Sequence, residues 1–411
     1  MKTLFSHIKQ LIQVRDSTVP VAGVDLAHLP IIEDAYLVIE DGVIFDYGKM
    51  DDLPELAIEE HIDVTGRIIC PSWCDSHTHL VYAGNRVDEY VARIKGKSYK
   101  EIADAGGGIL NSAILLQHTS EEDLLASARS RLNEILKLGT GAIEVKSGYG
   151  LTPDAEIKML EVIALLKSEY DLPIKSTFLA GHALPAAYKN DKSGFLDSML
   201  QDALPQIADR KLADYIDVFC EEGYFDVSDT EHILQEGLKY GLRGKIHVNQ
   251  FNVIGGIKAA VKHHAVSVDH LEELEDSDLD ALQGSGTIPV ALPGCSHFLK
   301  IPYTPARKII DRGLPIALAS DYNPGSCPSG NMNFVVSLAC THMQMTPEEA
   351  INAATINGAH AMEINNEVGS IARGKKANFF ITKPISSYAE IPYSFSTSVI
   401  DACFIDGKEI L

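Results

Sequence analysis

The chain has 411 residues, 45% apolar and 22% charged, enough for one large barrel-type domain with a smaller companion or for two ordinary domains. Its formal net charge of −22, with no lysine- or arginine-rich block, excludes a nucleic-acid surface, which needs a clustered basic face. No apolar run reaches membrane-spanning length, and the first residues, MKTLFSHIKQLIQVRDS, lack the apolar core and cleavage site of a signal peptide.

Seven scattered cysteines (70, 74, 220, 295, 327, 340 and 403) suit reduced thiols better than a disulfide framework. The expected setting is therefore a soluble, cytoplasmic protein that binds neither membrane nor nucleic acid and acts on a small molecule.

Residues 1–65 have the pattern of short strands and turns. AYLVIEDGVIFDYGKM places two apolar runs around Asp41-Gly42, a strong hairpin signal. Residues 363–411 resemble them: KKANFFITKP and SVIDACFIDGKEIL are strand-like, with Asp406-Gly407 as a second turn. Together the two ends predict a small composite β-sandwich domain.

From 66 to 362, apolar strand-like runs alternate with helical patterns. SEEDLLASARSRLNEILKLG has Ser120 as a cap, Asp123 three residues on and Gly139 as a stop. TPDAEIKMLEVIALLKSEY and TPEEAINAATINGAHAM both open with Thr-Pro, a cap followed by proline at the first helical position. Eight strands are expected, ending near residues 79, 146, 182, 221, 248, 270, 293 and 321. Seven of them carry His77 and His79, Lys146, His182, Glu221, His247, His270 or Asp321 at or near the carboxyl end. In an α/β (β/α)8 TIM barrel those ends share one face, and so many polar ends favour the barrel over an open doubly wound sheet. Neither GxGxxG nor GxxxxGK[ST] follows a strand, which excludes dinucleotide and P-loop sites. DAGGGIL, 104–110, has only the composition of a loop.

In CDSHTHLVYAG the two histidines are one residue apart, so on a strand they project together while Thr78 points away. Imidazoles with a carboxylate select a zinc- or iron-type ion. His77, His79, His247 and Asp321 form such a set, and His270 stands one strand beyond His247 as a base or water-orienting group. The residues alone fit equally well with His247 and His270 as hydrogen-bonded core histidines and Asp321 as the start of an Asx-turn. A structural zinc site from Cys70, Cys74 and His77 lacks a fourth ligand at suitable spacing.

HTH after the first strand, histidines closing strands five and six, and aspartate closing strand eight resemble the amidohydrolase superfamily. Strand four ends DVFCEEG without the lysine that bridges two metals in many members, which favours one metal; Lys146 is taken as a local polar contact. HTHLVYAGNR, AGGGI, EVKSGYGL, FLAGHALP, IHVNQF, SVDHLEE and SDYNPGSCPSGNM are similar, more narrowly, to the imidazolonepropionase family, over essentially the whole chain.

The resemblance implies hydrolysis of 4-imidazolone-5-propanoate to N-formimidoyl-L-glutamate in histidine degradation, one Zn²⁺ or Fe³⁺ per subunit, and a homodimer. It carries the metal ligands onto His77, His79, His247 and Asp321. Substrate contacts fall on Arg86, Tyr149, His182, Gln250, Asn323, Gly325 and Ser326. Arg86 suits a bidentate grip on the propionate, unless it only pairs with Asp88 or Glu89 at the surface. NPGS is expected to offer backbone N–H groups as an anion cradle. Gln250 stands where some relatives have glutamate and can only orient substrate. The catalytic set is then His270, Asp321 and Gln250, with water attacking the ring carbonyl carbon and His270, Asp321 or both taking its proton. Another cyclic-amide hydrolase or an aminopurine deaminase is the alternative activity, and a non-catalytic metal-binding relative the alternative class.

Overall fold

The computed structural model describes residues 1–16, 19–97, 101 and 107–410. The first strand, β1 (Lys2–Ile12), pairs antiparallel with β2 (Ile31–Glu40), which returns as β3 (Val43–Lys49). Asp41 and Gly42 make that return with φ of 48° and 85°, the doubly positive geometry whose twist matches a hairpin. β1 bulges at His7 (φ 52°). Its first half pairs with β4 (Glu60–Asp63) and its second half with β5 (Ile68–Pro71).

Eight parallel strands follow: β6 (Trp73–Asp75), β7 (Thr140–Lys146), β8 (Ile174–Gly181), β9 (Tyr215–Cys220), β10 (Arg243–Val248), β11 (Ser267–His270), β12 (Ile288–Ala291) and β13 (Ala317–Leu318). They pair in chain order. The seam between the last and the first is bridged by Asp321 N donating to His77 O at 3.0 Å and His79 N to Tyr322 O at 2.9 Å. Below it, Ser320 N and Oγ donate to the Asp75 carboxylate at 2.9 and 2.5 Å. This is the expected (β/α)8 barrel.

The chain ends on β14 (Phe379–Thr382), β15 (Ile400–Ile405) and β16 (Lys408–Ile410), and β14 pairs antiparallel with β5. The composite terminal domain thus forms as a mixed sheet in which strands from both ends are neighbours. The rings of Phe5, Phe379 and Phe404 pack edge-to-face and stacked at 4.8 to 5.2 Å in its core. Burial of such side chains contributes about 1.5–3 kcal/mol each.

The helices follow their caps. Ser120 Oγ accepts from Asp123 N ahead of Glu121–Lys137, Thr152 Oγ1 from Ala155 N ahead of Pro153–Glu169, and Thr346 forms a capping box with Glu349. The third stretch differs from expectation. It breaks at Thr355 into Pro347–Ala354 and Ile356–Ala361. The Thr355 hydroxyl donates back to Ile351 O at 2.5 Å and accepts from Gln13 Nε2 at 3.0 Å, pulling the backbone off the helical path. Of the loop predicted over 104–110, residues 104–106 lie outside the described residues, and Ile109 already opens the helix Ile109–His118. Among the described residues no helix is long and apolar enough to cross a membrane.

Candidate metal and substrate site

The carboxyl ends of the barrel strands open into a cavity of about 600 Å³. His79, His247, Asp321, His270, Gln250, Arg86, Tyr149, His182, Asn323, Gly325 and Ser326 all line it. His77 lies just beneath, fully buried. Every residue assigned to the metal, the substrate or the catalytic set from the sequence therefore reaches one place, whereas the strand-end residues Lys146 and Glu221 do not line the cavity, and two further histidines, His297 and His360, lie on helices Pro293–Leu299 and Ile356–Ala361.

The imidazoles of His77, His79 and His247 offer nitrogens that all lie within 4.8 Å of one another. Each ring is held from behind through Nδ1. His77 Nδ1 donates to Asp269 Oδ2 at 2.6 Å, and His79 Nδ1 faces the Ser147 carbonyl at 3.4 Å. His247 Nδ1 sits 2.9 Å from Asp217 Oδ2, in contact though off the ideal hydrogen-bond line. Carbonyl and carboxylate oxygens only accept, so the hydrogens belong on Nδ1 and the Nε2 lone pairs are bare. His79 Nε2 and His247 Nε2 then face each other at 3.3 Å. Asp321 Oδ1 stands 3.6 Å from His77 Nε2 and 3.8 Å from His79 Nε2, and His77 Nε2 is buried without a hydrogen-bond partner.

Three lone pairs this close together, two of them beside a carboxylate, repel one another unless a cation lies among them. The donor set fits a single divalent or trivalent ion of the zinc or iron kind. Burial, then the charge of Lys146 and neighbouring imidazoles, holds the His77 and His247 rings well below the usual histidine range; burial and the adjacent imidazoles do the same for His79. All three stay neutral and ready to ligate. Burial pushes the Asp321 carboxyl up to about 6.

His270 ends β11 with φ of 90°, and Leu271 follows at 63°, a strained pair of the kind that marks functional sites. Its Nδ1 lies 3.3 Å from Glu272 Oε1, which also accepts from Ser296 Oγ at 3.1 Å. Burial alone would lower the imidazole, but the carboxylates of Glu272, Asp321 and Asp269 together outweigh it and the net shift is upward. Gln250 Nε2 donates to Cys295 Sγ at 3.4 Å, which leaves its oxygen as an acceptor. His182 donates Nδ1–H to Gly148 O at 2.8 Å, and burial holds its imidazole down at about 4. Tyr149 packs edge-on against His79 and His182, with ring centroids 5.6 and 5.2 Å away.

Arg86 is not a surface residue: its side chain is 11% exposed. Glu89 Oε2 accepts from Arg86 Nε at 2.7 Å and also pairs with Nη2, while Glu89 Oε1 accepts from Gly108 N at 2.7 Å. One edge of the guanidinium fork is thereby spoken for and its orientation set.

The NPGS turn corrects the expectation of a backbone cradle. Asn323 Oδ1 already accepts from Gly325 N and Ser326 N, each at 2.8 Å, while Asn323 Nδ2 donates to Asp321 O and Ser326 Oγ. The turn is closed on itself and supports Asp321, whose Oδ2 accepts from Ser326 Oγ at 3.1 Å. Lys146 is a second correction. Far from a local contact, it is fully buried with Nζ 2.8 Å from Glu144 Oε1, 2.8 Å from Asp217 Oδ2 and 3.5 Å from Asp269 Oδ2. Asp217, Asp269, Glu144 and Glu272 were missed from the sequence. For Glu144, Asp217 and Asp269 the available signal was a carboxylate inside an otherwise apolar strand, which places charge inside the barrel, whereas Glu272 follows its strand and carried no such signal.

The model of the "Amidohydrolase family" matches residues 68–410. An imidazolonepropionase of Flavobacterium johnsoniae is 57% identical over 411 residues, covering all of both chains. One of Flavobacterium psychrophilum is 58% identical with the same coverage, and one of Alkaliphilus oremlandii is 38% identical over 98% of this chain and 97% of its own. Among solved structures, guanine deaminase from C. acetobutylicum superposes over all of both chains with TM-score 0.72 at 17% identity. A triazine hydrolase variant covers 99% of this chain and 94% of its own with TM-score 0.74 at 15% identity; at such identities the likeness is one of fold. On the strength of the family match and of these full-length relatives, this chain belongs to the imidazolonepropionase family of the amidohydrolases.

Proposed function

We propose that the protein hydrolyses the ring C–N bond of 4-imidazolone-5-propanoate, giving N-formimidoyl-L-glutamate, with one Zn²⁺ or Fe³⁺ per subunit. The observation that carries this reading is a single cavity holding the three-imidazole and carboxylate set at its floor and Arg86 on its wall. His77, His79, His247 and Asp321 hold the ion. When bound, such an ion supplies Lewis acidity, polarising a carbonyl and lowering the pKa of water towards neutrality.

This chain's own side chains do the rest. Arg86, oriented by Glu89, grips the propionate. Tyr149 and His182 give the ring a flat, polar-tipped wall, and the Gln250 oxygen accepts from a ring N–H. Asn323, Gly325 and Ser326 shape the same wall and steady Asp321. His270, with Glu272 facing Nδ1, exchanges protons through Nε2: it takes one from the attacking water, alone or with Asp321, and returns one to the departing ring nitrogen. The test is loss of imidazolonepropionate absorbance with purified protein, with metal analysis on the same sample. A metal-replete sample that leaves the substrate untouched would sink this assignment.

The same reading divides the chain at 1–65, 66–362 and 363–411, supported by the pairing of both termini in one sheet; strand Ile68–Pro71 carries that sheet slightly past the first boundary. A homodimer is proposed from family resemblance, and a cytoplasmic setting is supported by seven cysteines that are all unpaired. Light scattering of the purified protein tests the first.

A further inference from the structure

Beneath the proposed metal centre the barrel interior is charged. Lys146, Glu144, Asp217, Asp269 and Lys245 are all fully buried there. Burying so many charges is costly unless each is paired, so their arrangement is constrained. Lys245 Nζ pairs with Glu144 Oε2 at 3.2 Å and also donates to Ala361 O at 2.9 Å, on the side away from the cavity. Lys146 is different. It is the buried cation that touches both Asp217 and Asp269, and those are the carboxylates standing behind His247 and His77.

The geometry is that of a clamp. Asp217 Oδ2 is shared between Lys146 Nζ at 2.8 Å and His247 Nδ1 at 2.9 Å, while Asp217 Oδ1 accepts from Val218 N at 2.6 Å. Asp269 Oδ2 faces Lys146 Nζ at 3.5 Å and His77 Nδ1 at 2.6 Å, and its Oδ1 accepts from Ser267 Oγ at 2.5 Å. One fully buried ammonium thus sits between two fully buried carboxylates that would otherwise repel each other. Each carboxylate in turn fixes which ring nitrogen carries hydrogen and which way the ring points.

We propose that Lys146 is a positioning residue for the metal centre, holding Asp217 and Asp269 where they make His247 and His77 present bare Nε2 atoms on a common point. This rests on the metal-site reading above. Without the ammonium the two carboxylates separate, the rings lose aligned acceptors, and the ligand set is no longer preorganised. Such outer supports change metal affinity by about 10- to 100-fold.

The test uses the full-length protein stripped of metal and titrated with Co²⁺ alone, read by its visible spectrum and by competition with a chelator. Wild type that takes up no Co²⁺ removes the metal-centre reading, and the proposal with it. If wild type binds, Lys146→Met is expected to raise the dissociation constant by about 10- to 100-fold and to alter the Co²⁺ bands. Lys146→Met alone leaves excess negative charge in the core and can fail to fold. Lys146→Met with Glu144→Gln keeps the net charge of the five-residue group at −1, because one positive and one negative charge are removed together. A merely charge-balancing lysine predicts that this folded double variant binds Co²⁺ as wild type does, with the same spectrum. That result overturns the proposal; persistent weak binding by the folded double variant supports it.

Discussion

Gly325 lies directly under the guanidinium of Arg86: a Cβ added at 325 would stand 2.1 Å from Arg86 Nη1 and 3.0 Å from its Cζ. The absence of a side chain at one position is what gives the other its place. Because the obstructed group is the far end of a flexible side chain, Gly325→Ala is expected to displace Arg86 rather than unfold the turn. The expected result is a KM for the imidazolone raised about tenfold, with kcat changed far less, since uniform binding is what is lost. Steady-state kinetics decide it, and an unaltered KM would detach Arg86 from the substrate's carboxylate.

His270 touches no member of the ligand set through a hydrogen bond and is held by Glu272 instead. His270→Ala is therefore expected to lower kcat by about 10²- to 10⁴-fold, the range for losing a positioned acid–base group, while metal content per chain stays near wild type. Metal analysis beside the assay separates this from loss of the ion. Turnover at the wild-type rate would take His270 out of the proton path.

His79 gives the opposite pattern. Its Nε2 is one of the three convergent lone pairs, so His79→Ala is expected to lose metal and activity together. A variant that retained both would move the metal centre away from these imidazoles.

Asp214 offers a pH test remote from the site. Burial would raise its carboxyl, but Lys167 Nζ at 2.7 Å, Ser176 N at 2.8 Å and Lys175 outweigh that and hold it below the ordinary 3.8. A depressed folded-state pKa means the stabilisation is present above the unfolded value and fades as pH falls through the folded one. Asp214→Asn is expected to cost about 1 kcal/mol at neutral pH. The gap from wild type should hold steady above about pH 5 and narrow below about pH 4. Denaturant midpoints across that range measure it, and a pH-independent gap would show the carboxylate charge to be idle.

The architecture was legible in the sequence because two independent rhythms agreed. Asp-Gly turns between apolar runs marked both terminal hairpins, and polar residues closing successive strands marked the face where the barrel opens. The ligand set was legible for the same reason: HTH, His247 and Asp321 all sit where strands end. The support beneath it was not: Glu144, Asp217 and Asp269 lie within strands whose neighbours are apolar, and Lys146, visible as a strand end, shows no distant partner until the barrel closes around it. The NPGS turn misled through its composition: glycine and proline suggested exposed N–H groups, whereas Asn323 uses its own amide to take them up. Thr355 shows the same limit, since a long-range bond from Gln13 breaks a helix that local pattern alone would continue.

The neighbour relation between β5 and β14 has a consequence for how the molecule assembles. Cys70 is paired with Phe380, so the whole barrel lies between the two partners in the chain. A growing polypeptide must emit every barrel strand before the second edge of β5, the one turned away from β1, can be covered, leaving that edge of an apolar strand open throughout the interval. Joining ends so far apart is slow, and an uncovered edge invites pairing with another chain. Refolding should accordingly show a late phase in which the terminal sheet closes onto an already formed barrel, and truncation before residue 379 should yield an aggregating species rather than a free barrel.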